Sequence, residues 1–133
     1  MFIDTSAFVT ILCQEPEATI FANRIERATR RCTSALVRLE TCMVLASRQD
    51  RDPIAVQADF DAFLAEAKIS VIPISDGIGR IAVEAFARYG KGRGHPAQLN
   101  LADCLSYACA HAYRDPILFK GRDFSHTDLA TAL

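Results

Sequence analysis

The apolar residues of this chain fall into two spacings, and the switch between them marks out the elements. Met1-Phe2-Ile3 is a short apolar run ended by the polar Asp4-Thr5-Ser6. It predicts a buried strand, with Thr5 placed to cap a helix over 7–13. Pro16 opens a second helix to about residue 30, and 31–33 reads as a short strand. Ser34 is a plausible N-cap for a helix through Arg48, and Asp50-Arg51-Asp52-Pro53 breaks it. Phe60, Phe63, Leu64 and Ala67 recur at helical spacing over 54–67, followed by a β-branched strand over 69–74. Asp76 starts a helix that Gly90 stops near Tyr89, and 90–98 is a glycine-rich basic loop. A helix over 100–113, a strand over 116–119 and a terminal helix over 125–133 complete the pattern.

Short apolar strands alternating with helices predict a mainly parallel sheet covered on both faces, a three-layer α/β/α sandwich. At 133 residues, with half of them hydrophobic, the chain is one domain over 1–133 with a packed core. No repeat, low-complexity tract or interdomain linker interrupts it. The formal net charge of −1 leaves any nucleic-acid binding to local basic patches. No apolar stretch reaches the roughly 20 residues of a membrane span, and no charged n-region precedes an h-region, so a soluble, cytoplasmic protein without a membrane partner is expected. The five cysteines form no CxxC pair, which favours small core thiols in a reducing compartment over a zinc site.

Four carboxylates stand where acids need explaining. Asp4 ends the first strand, where ligands of open parallel sheets bind, although a turn or cap aspartate would sit there too. Glu40 has Leu36, Val37, Met43 and Val44 as its neighbours one turn away. A lone charge on such a face would cost several kcal/mol if buried, so a cation, an arginine or an open cleft must accompany it. Asp103 lies opposite the apolar stripe of its helix, sharing a side with Ser106, Tyr107 and Ala110; a solvated face or a favourable helix dipole explains it equally well. Asp123 follows the last strand, as Asp4 follows the first. Asp128 is its rival, but Ser125-x-x-Asp128 also fits a capping box for the terminal helix.

Met1-Phe2-Ile3-Asp4-Thr5-Ser6, Leu39-Glu40-Thr41, Asn100-Leu101-Ala102-Asp103-Cys104-Leu105-Ser106-Tyr107, and Phe119-Lys120-Gly121-Arg122-Asp123-Phe124-Ser125-His126-Thr127-Asp128 together resemble the PIN-domain ribonuclease toxins of the VapC type. The resemblance runs from the first strand to the end of the chain. It implies a PIN fold, a Mg²⁺-dependent endoribonuclease (Mn²⁺ serving as well), inhibition by a small cognate antitoxin, and a homodimer. Carried over residue by residue, the acidic set is Asp4, Glu40, Asp103 and Asp123. In much of the superfamily the fourth acid falls two residues earlier, at the place of Gly121, which leaves Asp128 in contention.

Phosphodiester hydrolysis needs a nucleophilic water, charge relief on the phosphate and help for the leaving oxygen, and carboxylate-held Mg²⁺ supplies all three. Mg²⁺ takes one or two carboxylates plus waters and substrate oxygens. Asp4 and Asp103 are the expected direct ligands, with Glu40 and Asp123 acting through water or on a second ion. In-line attack would leave a 5′-phosphate and a 3′-hydroxyl. Thr5, Ser6, Lys91 and Arg93 are the candidate RNA contacts, the last two because glycines around them let backbone amides approach a phosphate. Arg24, Arg27 and Arg31 read as solvated charge. Two other readings are a non-catalytic PIN-like binding module and a structure-specific DNA nuclease of the same fold, since nothing in the sequence reads a 2′-hydroxyl.

Overall fold

The computed structural model describes residues 1–133. Its elements run β1 (Phe2–Ile3), α1 (Thr5–Leu12), α2 (Ala18–Arg27), β2 (Cys32–Ser34), α3 (Ala35–Gln49), α4 (Pro53–Glu66), β3 (Ser70–Ile72), α5 (Asp76–Tyr89), α6 (Leu101–Ala112) and β4 (Ile117–Leu118), closed by a 3₁₀ turn at Asp123–His126. The four strands are parallel in the order β3-β2-β1-β4. With helices on the sheet, this is the expected α/β/α sandwich. No helix is long and apolar enough to cross a membrane.

β1 lies inside the sheet with Phe2 and Ile3 fully buried, which is why its sequence is apolar without alternation. Phe2 is level with Cys32 on one side and Ile117 on the other. The chain leaves β1 toward β2 and β3 and returns on the opposite side as β4. The carboxyl ends of β1 and β4 therefore meet at the point where strand order reverses, the crevice in which open α/β sheets hold ligands. The core gathers Phe2, Phe8, Phe60 and Phe124 around the sheet, with Phe8 edge-on to Phe60 at 4.9 Å. All five cysteines are unpaired, and four of them are buried.

Several helix ends differ from expectation in instructive ways. Asp4, not Thr5, caps α1: its backbone is extended and its side chain accepts from the Ser6 amide, so the helix begins at Thr5. Ser34 caps α3 as expected, accepting from the Val37 amide. α4 takes Pro53 as its first residue, with Asp52 as the cap. Gly90 ends α5 in an extended conformation rather than a left-handed turn. A side chain there would collide with the Phe86 carbonyl and ring, so close approach is what demands glycine. β3 is shorter than its β-branched sequence suggests, because it is the edge strand and Pro73 has no amide to continue the ladder.

The expected terminal helix over 125–133 does not form. After the 3₁₀ turn the chain extends and pairs with β4: the Ile117 amide donates to the Ala130 carbonyl (3.0 Å) and the Ala132 amide to the Ile117 carbonyl (2.9 Å). That pairing satisfies the otherwise open edge of β4, a non-local demand that outweighs the helical tendency of a short tail.

Candidate active site

A cavity of about 230 Å³ opens at the carboxyl ends of β1 and β4, lined by Asp4, Glu40, Asp103 and Asp123 together with Thr5, Ser6, Arg48 and Lys120. Four segments far apart in sequence thus deliver one carboxylate each to the same space.

Asp4 is the most enclosed, 7% exposed. The Ser6 hydroxyl (2.8 Å) and amide (3.2 Å) donate to its Oδ2, and the Ser106 hydroxyl on α6 donates to its Oδ1 at 2.9 Å. These bonds fix both oxygens without any cation. The Ser6 hydroxyl also accepts from the Lys120 amide at 2.9 Å, tying the segment after β1 to the segment after β4. Ser6 and Thr5 thus orient the acids; Ser6 holds Asp4, and Thr5 holds Glu40.

Glu40 reaches the cavity from α3 and accepts a 2.7 Å bond from the Thr5 hydroxyl. Of the partners its sequence context allowed, the open cleft is what the structure provides. Its helix face is less closed in place than in sequence, since Met43 is exposed while Val44 lines the cavity. Burial pushes the Glu40 carboxyl above its ordinary range, the Thr5 bond pulls it partly back, and Asp4 adds to the rise.

Asp103 serves two purposes. It completes a capping box with Asn100, whose amide donates to Asp103 Oδ2 (3.1 Å) while the Asp103 amide donates to Asn100 Oδ1 (2.9 Å). The same carboxylate lines the cavity. Burial drives its pKa up to about 6; the bond from Asn100 opposes this, and Asp4, Asp123 and Glu40 reinforce it. The side of α6 that Asp103 shares with Ser106, Tyr107 and Ala110 is not a solvated face. Those three residues are buried, whereas Leu101, from the apolar stripe, is exposed. Cys104, Ala108 and Cys109 of the apolar stripe are buried too, so the helix is enclosed on both sides, and from the polar one Ser106 reaches Asp4.

Asp123 opens the 3₁₀ turn and lines the cavity from its exposed side. Asp128 is not among the lining groups: its Oδ1 accepts from the Tyr107 hydroxyl at 2.6 Å, and its Oδ2 lies 3.7 Å from Arg88. It caps no helix either. Gly121 has φ +118°, a conformation in which any side chain is strained. An acid two residues before Asp123 would therefore be disfavoured by this loop.

Lys91 lines a separate apolar groove of about 460 Å³ between α5 and the start of α6, and Arg93 lies 5.9 Å from the Phe86 ring. Neither reaches the acid cavity. Of the three arginines read as solvated charge, Arg27 is exposed, whereas Arg24 donates to the Ala132 carbonyl and Arg31 to the carbonyls of Ala28, Ala67 and Glu26. The cations that do line the cavity, Arg48 and Lys120, escaped the sequence reading. Glu40, Val44 and Arg48 recur every four residues on one face of α3, and Lys120 stands just beyond β4, so both carried a positional signal.

A divalent cation fits this donor set. The donors are hard oxygens, and four carboxylates against two cations leave an excess of two negative charges around one cavity. Burial is the main cause of the raised Asp103 pKa, and the neighbouring Asp4, Asp123 and Glu40 carboxylates add to it. No three carboxylate, imidazole or thiol groups are gathered tightly enough to ligate an ion alone. Water and substrate oxygens would complete such a shell, as Mg²⁺ prefers.

Residues 1–129 match the PIN domain family. Ribonuclease VapC28 of Mycobacterium tuberculosis is 44% identical over 133 residues, covering 100% of this chain and 98% of the relative. Ribonuclease VapC42 of the same species is 38% identical over 132 residues, covering 99% and 98%. Among solved structures, M. tuberculosis VapC20, described as a sarcin-ricin loop cleaving toxin, superposes with a TM-score of 0.75 over 97% of this chain and 95% of that one, at 17% identity. A toxin–antitoxin complex from Klebsiella pneumoniae gives 0.70 over 99% and 97%, also at 17% identity. The two structures agree with the fold, and the sequence relatives go further: the chain belongs to the PIN-domain family, among the VapC ribonucleases.

Proposed function

We propose that the protein is a divalent-metal-dependent endoribonuclease, the toxin of a toxin–antitoxin pair. The observation that carries this reading is the convergence of Asp4, Glu40, Asp103 and Asp123 on one cavity at the strand-order reversal. The relatives named ribonucleases at up to 44% identity over the whole chain support the substrate class.

Asp4 and Asp103 are the direct ligands in this reading, Asp4 held by Ser6 and Ser106 and Asp103 by Asn100, while Thr5 holds Glu40 beside them. Mg²⁺ or Mn²⁺ held by these residues would supply Lewis-acid polarisation of the phosphate and a nucleophilic water of lowered pKa. Glu40, oriented by Thr5 and with an elevated pKa, is placed to take the proton from the attacking water. Asp123, exposed at the cavity edge, contributes through water. The products are a 5′-phosphate and a 3′-hydroxyl. A small antitoxin as inhibitor, and a homodimer, accompany the family membership; the toxin–antitoxin complex among the structural neighbours supports the former.

The test is RNA cleavage by protein freed of any copurifying antitoxin, with Mg²⁺, with chelator, and with Asp4→Asn. Metal-dependent cleavage that Asp4→Asn abolishes is expected. Cleavage that survives both the substitution and the chelator contradicts the reading, and cleavage of DNA but not RNA replaces its substrate.

A further inference from the structure

Lys120 and Arg48 are the two cations lining the acid cavity, yet neither pairs with a cavity acid. Both are drawn to Glu15 in the turn between α1 and α2. The Lys120 ammonium donates to Glu15 Oε2 at 2.5 Å and to Glu17 Oε2 at 3.1 Å, and Arg48 donates to Glu15 Oε1 at 3.1 Å. Glu15 is itself held. Its amide donates to the Thr10 carbonyl (3.0 Å), and the fully buried Thr10 hydroxyl lies 3.3 Å from its Oε2. Gln14, just before it, sits at φ +53° to make the turn. The Lys120 backbone is fastened too, through the Ser6 hydroxyl that holds Asp4.

An isolated surface ion pair would deserve little weight. Here one anchored carboxylate restrains two cations at the mouth of a cavity whose own charge is negative. The four cavity carboxylates exceed the charge of one divalent ion by two, so an incoming phosphodiester needs positive charge at the rim, and Lys120 and Arg48 are the groups in place. Resting on the nuclease reading above, we propose that Lys120 and Arg48 form the phosphate-binding subsite of the cavity, and that Glu15 is the counter-ion the RNA phosphate must displace. Glu15 thereby sets a ceiling on RNA affinity: it keeps the two cations ordered, and competes with the substrate for them.

The two parts of this subsite respond in opposite directions when neutralised. Lys120→Met and Arg48→Met each raise KM for RNA about tenfold or more, the scale of one lost bond to a charged group, with kcat changing less. Each also flattens the dependence of log affinity on log salt by about 0.7 for a single strand. Lys120→Arg restores KM. Glu15→Gln lowers KM about two- to tenfold, because two weak ion pairs no longer oppose binding. A structural brace would behave otherwise, all three neutralising substitutions lowering the melting temperature and impairing cleavage together. Steady-state cleavage at several salt concentrations, with melting curves for each variant, reads these outcomes. Unchanged KM and salt slope in Lys120→Met and Arg48→Met, with wild type active, overturns the subsite and leaves the nuclease reading standing. A raised KM in Glu15→Gln overturns the counter-ion role. Absence of RNA cleavage by the wild type removes the nuclease reading and this inference with it.

Discussion

Asp103 and Tyr107 lie one turn apart on α6, and the carboxylates they serve are treated in opposite ways. Asp128 accepts the Tyr107 hydroxyl at 2.6 Å and faces Arg88, and that bond first, with the arginine's charge, holds its carboxyl below the ordinary range. Asp115 behaves alike: burial pushes it upward, but bonds from the N-terminal ammonium and from Arg30 outweigh this and its pKa is lowered. Asp103 and Glu40 have no cationic partner, and both are pushed upward, Asp103 to about 6. The fold therefore pairs its structural acids internally and leaves cavity acids buried without a cation, with repulsion among them a smaller addition to the cost of burial. The latter arrangement costs stability in the isolated protein and is sustained where a ligand supplies the missing positive charge.

That contrast can be broken most sharply by substituting one acid from each set. Asp103→Asn is expected to lower RNA cleavage at least about 100-fold, the lower end of what a positioned catalytic group supplies. Its metal-free melting temperature at pH 8 should stay level or rise, because an amide keeps the cap on Asn100 and removes a repelled charge. Asp128→Ala should do the reverse. It strands the buried Tyr107 hydroxyl and costs about 1–2 kcal/mol of stability by chemical denaturation, while metal-dependent kcat stays near wild type. If Asp128→Ala abolishes cleavage in a folded protein, the assignment of the fourth acid to Asp123 is wrong.

The pH dependence follows from the same raised pKa. In the folded protein Asp103 titrates near 6, above its ordinary 3.8, so the fold favours its protonated form. Its contribution to metal-free stability is therefore fully present below about pH 4 and lost as pH rises through about 6. Metal binding needs the carboxylate, so affinity for Mn²⁺ should climb over that same interval. Melting curves of wild type and Asp103→Asn from pH 4 to 8, with and without Mn²⁺, check both slopes. A metal-free difference between the two proteins that does not change with pH would remove Asp103 from the titrating set. The smallest effect is expected at Lys91, beside the apolar groove. Lys91→Met should leave kcat unchanged and flatten the salt dependence of RNA binding by no more than about 0.7.

Much of this was legible before the structure, and unevenly so. The strands carry their burial in their composition, and a parallel sheet dictates where their carboxyl ends lead, so position points to Asp4 and Asp123, although only the structure separates Asp123 from Asp128. Glu40 was conspicuous through its neighbours, although two apolar residues near it, Leu39 and Met43, prove exposed. Asp103 was the least legible. Helical periodicity sets it opposite the apolar stripe, where a solvated face explains it equally well, and only the packing of α6 shows that Ser106, Tyr107 and Ala110 face inward. The tail beyond residue 126 has a helical sequence pattern but an extended conformation, because it depends on the open edge of β4, a partner no local pattern encodes. The hydroxyl bonds that orient the acids join Thr5 to Glu40 and Ser106 to Asp4 across long stretches of chain, and they too needed the fold.

Calorimetric titration of Mn²⁺ into metal-free protein at pH 7.5 tests most directly whether the cavity acids await a cation. Wild type should bind with measurable heat, and the folded Asp4→Asn/Asp103→Asn double variant should not, while Asp128→Ala binds like wild type. Equal Mn²⁺ affinity in the double variant and the wild type would contradict the metal site at its root.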